Sequence, residues 1–340
     1  MKAMLLNAPS QLSPGKVDDA VAGDGETLVR VTHSGVCGTD LKIYNGGIPV
    51  TYPRIMGHEV IGEIADVGTA IGVGVGARVI VDPILFCGNC EDCRTGQENL
   101  CTNGSLLGRD QDGGFSELVA VPAGAVIALP DTINNESAPL IQVMTTCEHA
   151  QQRAPVAAGN SIVVIGLGVS GQLHIQLARA RGAHPIIGIT GSPVRREMAQ
   201  QYGADYTIAA GNSAAAEVHG LTGGRGADLV VDCVGTATTL AQSIDIARPG
   251  GRILLFGVYT FTEAVLPFYQ LYYKELTIIN SRAATRADFQ TCIDLVNSGQ
   301  VEIDSMISHV LPLTDLEKAI TMLDQRDDHR MKVTLDHTLN

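Results

Sequence analysis

The chain has 340 residues, 45% of them hydrophobic and 17% charged. This is too much apolar sequence for a disordered chain and too long for one ordinary domain, so two domains are expected. A formal charge of −13 sets nucleic acid and anionic membrane aside as main partners, while a helix N-terminus still leaves room for an anionic cofactor.

The opening MKAMLLNAPSQ has too short an apolar run for a signal peptide, and no run of about 18 apolar residues follows. The expectation is a soluble, cytoplasmic protein. Residues 1–125 read as β-rich. Leu28–Thr32, Val60–Val67, Arg78–Val81 and Ser116–Val121 are short, β-branched runs bounded by Gly, Pro or Asp. Gly57, Gly62, Gly68, Gly72, Gly74 and Gly76 punctuate the second of these, and the whole predicts a compact, irregular barrel. Near residue 140 the pattern changes. Apolar strands at Ser161–Ile165, Pro185–Ile189, Asp228–Asp232, Gly251–Phe256 and Leu276–Asn280 follow. Helical patterns run to about Arg181 and over 193–202. Such alternation predicts a parallel sheet with crossover helices. The last segment predicts helices over Arg286–Asn297 and Leu313–Asp324 and a strand at Lys332–Leu335.

Four of the eight cysteines, Cys87, Cys90, Cys93 and Cys101, lie within 15 residues. Without a secretory signal such a cluster reads as metal-binding, and four thiolates on short loops suit a closed, structural zinc site. The alternatives are an iron–sulfur cluster or free thiols. Upstream, Gly35-Val-Cys37-Gly-Thr39-Asp40 precedes Gly57-His58-Glu59. A lone cysteine is commonly a buried apolar residue and a lone histidine a satisfied core residue. Together, each beside glycine and a carboxylate, they point to a metal with an open coordination position.

Gly166-Leu-Gly168-Val169-Ser-Gly171 follows an apolar strand and opens a helix, which is the context in which the glycine pattern binds a dinucleotide. NAD enzymes place an acidic residue at the end of the next strand. Here that position is Thr190, followed by Ser192, Arg195 and Arg196, three donors suited to a 2′-phosphate. NADP(H) is therefore favoured, with NAD(H) the alternative.

Gly57-His58-Glu59-x-x-Gly62-x5-Gly68, Cys37-Gly-Thr-Asp and the four-cysteine lobe resemble, in that order, the zinc-containing medium-chain alcohol dehydrogenases. The look is nearest to the sorbitol, threonine and sugar-acid branch. The resemblance also covers Asp112–Glu117 and Lys274–Thr277. It implies a GroES-like β-rich catalytic domain over 1–143 with a zinc lobe at 85–105. It further implies a Rossmann doubly wound parallel-sheet cofactor domain over 144–283 and a return to the catalytic domain over 284–340. It implies two zinc ions per chain and hydride transfer between a secondary alcohol, polyol or sugar acid (or the matching ketone) and a nicotinamide.

The family's third metal ligand, Cys or Glu, falls on Gln142, a neutral and weaker donor. The expected shell is Cys37, His58, Glu59 and Gln142, with Cys147 left as a structural cysteine. Thr39 matches the residue that begins the family's proton relay. Lys42 stands where many relatives carry histidine, and an exposed, uninvolved lysine is the alternative. Asp40 is expected to orient His58. Arg282 is expected at the cofactor or substrate, or else at a domain interface. Tyr44 carries the same two readings at the substrate cleft, and His33 reads as a surface residue. The resemblance also implies a homodimer or homotetramer built through sheet edges near Leu276–Asn280. The departure at Gln142 leaves open a zinc-free reductase of the quinone-oxidoreductase kind. A third reading is a non-enzymatic zinc protein that senses cofactor redox state.

Overall fold

Burial alternates along the strand Glu26–Val36 and then turns continuous at its C-terminal end. That change makes it the central strand of the first unit. It pairs antiparallel with Glu59–Asp66, Leu118–Pro122 and Lys332–Asp336. The computed structural model describes residues 1–68, 74–325 and 327–339; Gly72 lies outside them. Arg78–Val81, Val126–Ala128 and Ile307–Pro312 complete this sheet among the described residues. A smaller sheet holds Gln11–Lys16, Lys2–Ala8 and Arg54–Ile55.

The register carries the chemistry. Gly35 faces Glu59 across the central pair. Continuing that register sets Cys37 opposite Gly57, next to His58. Gly57 has a φ of +98°, and a Cβ there would lie 2.7 Å from the Phe115 ring and 2.9 Å from its backbone nitrogen. Glycine is therefore required for the turn that aims His58 inward.

The second unit is a six-stranded parallel sheet. Its order is Tyr206–Ala209, Ile186–Thr190, Ile162–Ile165, Ala227–Asp232, Ala247–Leu255 and Thr277–Asn280. Ile162–Ile165 is buried at every position, as expected for a strand covered on both faces. The helices Val169–Ala180, Pro193–Gln201, Ala214–Leu221 and Ala237–Ile246 connect successive strands.

The first unit comprises Met1–Val143, Thr285–Asn297 and Ile303–Asn340, and the second Met144–Ala284 and Ser298–Glu302. Residues 284 and 298–302, expected with the catalytic domain, thus cluster with the second unit. Gln176 holds the latter there: its amide donates to the Glu302 carbonyl (2.8 Å) and accepts from the Glu302 N–H (2.7 Å). The helix expected over Leu313–Asp324 begins as a 3-10 turn, Leu313–Asp315, and is α-helical only from Leu316. Among the described residues no helix is long and apolar enough to cross a membrane.

Candidate metal centres and cofactor turn

The cysteine lobe hangs from a two-strand pair, Ile84–Leu85 with Ser105–Leu106. Its four sulfurs converge, with Cys90–Cys93 at 3.4 Å, Cys87–Cys101 at 3.5 Å and Cys90–Cys101 at 3.8 Å. Sulfurs about 2.3 Å from a tetrahedral zinc stand about 3.8 Å apart, and all eight cysteines are free thiols rather than disulfides. The backbone N–H groups of Asn89 and Cys90 push the Cys87 thiol down to about 6, which favours the thiolate a metal needs. The donor set fits a structural zinc.

The second cluster is Cys37, His58 and Glu59, whose ligand atoms lie within 4.8 Å of one another. Cys37 caps the short helix Gly38–Tyr44: its sulfur accepts the Thr39 N–H (3.3 Å), and Asp40 Oδ2 accepts the Cys37 N–H (2.9 Å). This reciprocal cap fixes the sulfur, which lies 3.1 Å from His58 Nε2. Fully buried Asp40 reaches the other side of the ring, with Oδ1 3.4 Å from His58 Nδ1. Burial disfavours an imidazolium here, but Cys37 and Asp40 outweigh it and hold His58 well above its usual range. A thiol, an imidazole and a carboxylate in one cluster make a donor set of the kind that holds zinc. Glu59 Oε1 is buried without a hydrogen-bond partner, which leaves it free for a metal. These residues fit a metal with an open position.

Sequence reasoning missed Lys332. Its side chain is 3% exposed, and its Nζ pairs with Glu59 Oε2. A Cβ on Gly35 would fall 1.8 Å from that oxygen and 3.0 Å from Lys332 Cε, so Gly35 makes the space for the pair. The only signal was a lysine opening a short strand, Lys332–Asp336, that carries Val333 and Leu335.

Other expected residues fall as follows. Thr39 is half-buried and Lys42 exposed, three residues apart on one helix. Gln142 is half-buried on the helix Pro139–Arg153. Cys147 is buried farther along it, bonding the Ser170 carbonyl at 3.7 Å. Tyr44 donates to Glu317 (3.1 Å), which directs its hydroxyl to the C-terminal helix. His33 is not a surface residue: it is 6% exposed and faces Asp336 across the sheet, 3.7 Å away. Its strand is flanked within the sheet by the C-terminal strand, which local alternation does not show. Arg282 is exposed, two residues past the edge strand Thr277–Asn280.

In the second unit Gly166 sits at φ +89°. A Cβ on Gly171 would lie 2.0 Å from the Gly166 carbonyl oxygen, so only glycine lets the helix start this close to the strand. Gly168 caps the helix Val169–Ala180, and a Cβ there would meet nothing within 4 Å, so the turn is open to a ligand where the helix dipole favours phosphate. Thr190 ends the next strand. Ser192 Oγ accepts the Arg195 N–H (3.3 Å), Gln172 donates to the Arg195 carbonyl (2.9 Å), and Arg196 Nη1 donates to the Thr190 carbonyl (3.0 Å). Ser192 is thus a helix cap, and the Arg196 guanidinium lies across the strand end.

Residues 23–131 match the alcohol dehydrogenase GroES-like domain, and residues 169–298 match the zinc-binding dehydrogenase family. A sorbitol dehydrogenase of Halalkalibacterium halodurans is 32% identical over 301 residues, 87% of this chain and 88% of that protein. A short chain alcohol dehydrogenase of Escherichia coli CFT073, complexed with NADH, superposes with a TM-score of 0.92 at 30% identity, covering 99% of both chains. A zinc-binding dehydrogenase of Sinorhizobium meliloti 1021, bound to NADP, gives 0.91 at 31% identity and 98% of both chains. The chain belongs to the zinc-binding alcohol dehydrogenase family and is a zinc-dependent oxidoreductase that works with a nicotinamide cofactor.

Proposed function

We propose that this enzyme oxidises a secondary alcohol on a polyol or sugar acid, or reduces the matching ketone, with NADP(H) as its preferred cofactor. Residues 1–143 and most of 284–340 form the catalytic domain, and 144–283 bind the dinucleotide. Cys37, His58, Glu59 and Gln142 hold the catalytic metal. Cys87, Cys90, Cys93 and Cys101 hold a second, structural one. The observation that carries this reading is the convergence of a capped thiol, an imidazole and a buried carboxylate within 4.8 Å. When bound, zinc supplies a Lewis acid for the alcohol oxygen, and the nicotinamide accepts the hydride.

The chain's own residues move the proton and fix the geometry. Asp40 holds the His58 ring from its Nδ1 side, as second partners of metal-bound imidazoles do. The half-buried Thr39 hydroxyl receives the substrate proton. Lys42, one turn on and exposed, passes it to water. Gly166, Gly168, Val169 and Gly171 cradle the pyrophosphate. Thr190, in place of a carboxylate, removes the repulsion a 2′-phosphate would meet. Ser192, Arg195 and Arg196 donate to that phosphate, and Arg282 contacts the cofactor.

Zinc analysis of the purified chain, with a screen of polyols, sugar acids and secondary alcohols against NADP and NAD, tests this. Two zinc ions per chain are expected, falling to one in Cys37→Ser together with activity. Full activity in Cys37→Ser overturns the metal site. One zinc per wild-type chain points instead to the zinc-free reductase. Arg196→Ala should raise KM for NADP and spare NAD; the opposite pattern overturns the cofactor preference.

A further inference from the structure

At the carboxyl ends of the parallel sheet, one buried residue joins two loops. Asp232 ends the strand Ala227–Asp232 and is fully buried. Its Oδ1 accepts the N–H groups of Val234 (2.9 Å) and Gly235 (3.2 Å). Its backbone carbonyl accepts from Phe256 (3.0 Å) and Gly257 (2.8 Å). Its Oδ2 accepts the Tyr259 hydroxyl at 2.5 Å. One carboxylate residue therefore ties together two strand-end loops, 233–235 and 256–259.

These loops are locked to each other and to the cofactor turn. A Cβ on Gly257 would lie 2.5 Å from the Gly235 nitrogen, and one on Gly166 would lie 2.6 Å from Val234 Cγ2. The Cys233 N–H donates to the Ile165 carbonyl (2.9 Å), at the strand end that opens the glycine turn. The sheet order fixes which half of a dinucleotide this serves. Thr190, the adenosine-ribose determinant, ends the strand on one side of Ile162–Ile165, and Asp232 ends the strand on the other side. A dinucleotide bound across the carboxyl ends of such a sheet divides at that central strand. The loops tied by Asp232 lie under the nicotinamide half. Burial and the Asp232 carboxylate push the Tyr259 phenol well above its usual range, so it remains a donor at any working pH.

We infer that the Tyr259–Asp232 clasp is a positioning device for the nicotinamide half of the cofactor. It holds loops 233–235 and 256–259 in their binding shape before the ligand arrives. This rests on the nicotinamide reading above. A loop ordered in advance costs no ordering entropy on binding, so breaking the clasp should weaken only the half of the ligand that those loops touch.

The test uses the zinc-loaded full chain and Tyr259→Phe. NADPH and NADH binding are followed by nucleotide fluorescence, and ADP-ribose and 2′,5′-ADP, which lack the nicotinamide, by calorimetry. In Tyr259→Phe the Kd of the reduced dinucleotides should rise about tenfold, the loss of one charge-assisted hydrogen bond. The Kd of the two fragments should stay within about twofold, as the glycine turn is untouched. Unchanged dinucleotide binding, or equal weakening of dinucleotide and fragments, overturns the clasp. A wild-type chain that binds fragments but gains nothing from the nicotinamide ring overturns the cofactor reading as well, which keeps the two failures apart.

Discussion

Glu59 is fully buried, so its energetics are decided by the groups that face it. Lys332 is the cation that does so, and removing one partner of a buried pair leaves an uncompensated charge costing about 3–5 kcal/mol. Lys332→Met should therefore lower the unfolding free energy by about that much in urea titrations, and Glu59→Gln in the same chain should recover most of it. An unchanged midpoint in Lys332→Met would show that Glu59 is held by other groups. His174 makes the opposite case, a buried group that stays neutral. It is fully buried, accepts the Gln151 amide at Nδ1 (3.1 Å) and meets the Phe256 ring edge-on at 4.6 Å. Burial, and then the Arg181 charge, push its imidazole down to about 3. In the unfolded chain a histidine titrates near 6.5. Between these values the unfolded chain binds a proton that the native chain refuses. Stability is therefore full above pH 6.5 and falls as pH drops toward 3, by about 1.4 kcal/mol per pH unit. His174→Gln should flatten the dependence of the urea midpoint on pH between 6 and 4; an unaltered slope would remove His174 as a source of acid sensitivity.

At the scale of elements, the cysteine lobe has little to hold it but its sulfurs. Its strands are two residues each, its helix is the four-residue Glu91–Arg94, and none of that helix is buried. A segment this short cannot bury enough surface to fold alone, so metal binding supplies its folding energy. Chelation, or Cys93→Ser, should expose 85–105 to limited proteolysis while the circular dichroism of the two sheets is kept; a lobe that stays resistant without metal would contradict this. The lobe was legible because its spacing is local. So were Ile162–Ile165, Ile186–Thr190 and Ala227–Asp232, whose runs of consecutive apolar residues mark strands covered on both faces. Tyr206–Ala209 escaped because it is an outer strand with only Ile208 buried, and Gln11–Lys16 because it has no buried position and contains a proline. Lys332, His33 and the Tyr259–Asp232 pair were illegible for a different reason. Their partners lie 273, 303 and 27 residues away (332 − 59, 336 − 33 and 259 − 232), and no periodic pattern encodes a contact across a sheet.

For the molecule as a whole, the strand Thr277–Asn280 closes one side of the parallel sheet, with Ile278 44% exposed. Just before it the helix Phe268–Tyr273 has no buried residue. Its Tyr269 ring stacks on Tyr273 at 5.9 Å and tilts against Tyr272 at 6.4 Å, so that three exposed tyrosines form one aromatic surface. An edge strand beside such a patch invites association. We propose that a second copy pairs along this edge, related by a two-fold axis that presents the same strand from each side. A charged side chain on an edge strand opposes pairing with another edge. Ile278→Lys should then sediment as a monomer at micromolar concentration while the wild-type chain sediments as a dimer or tetramer. A wild-type monomer would refute the pairing outright. A variant that keeps the wild-type mass would move the interface to another surface.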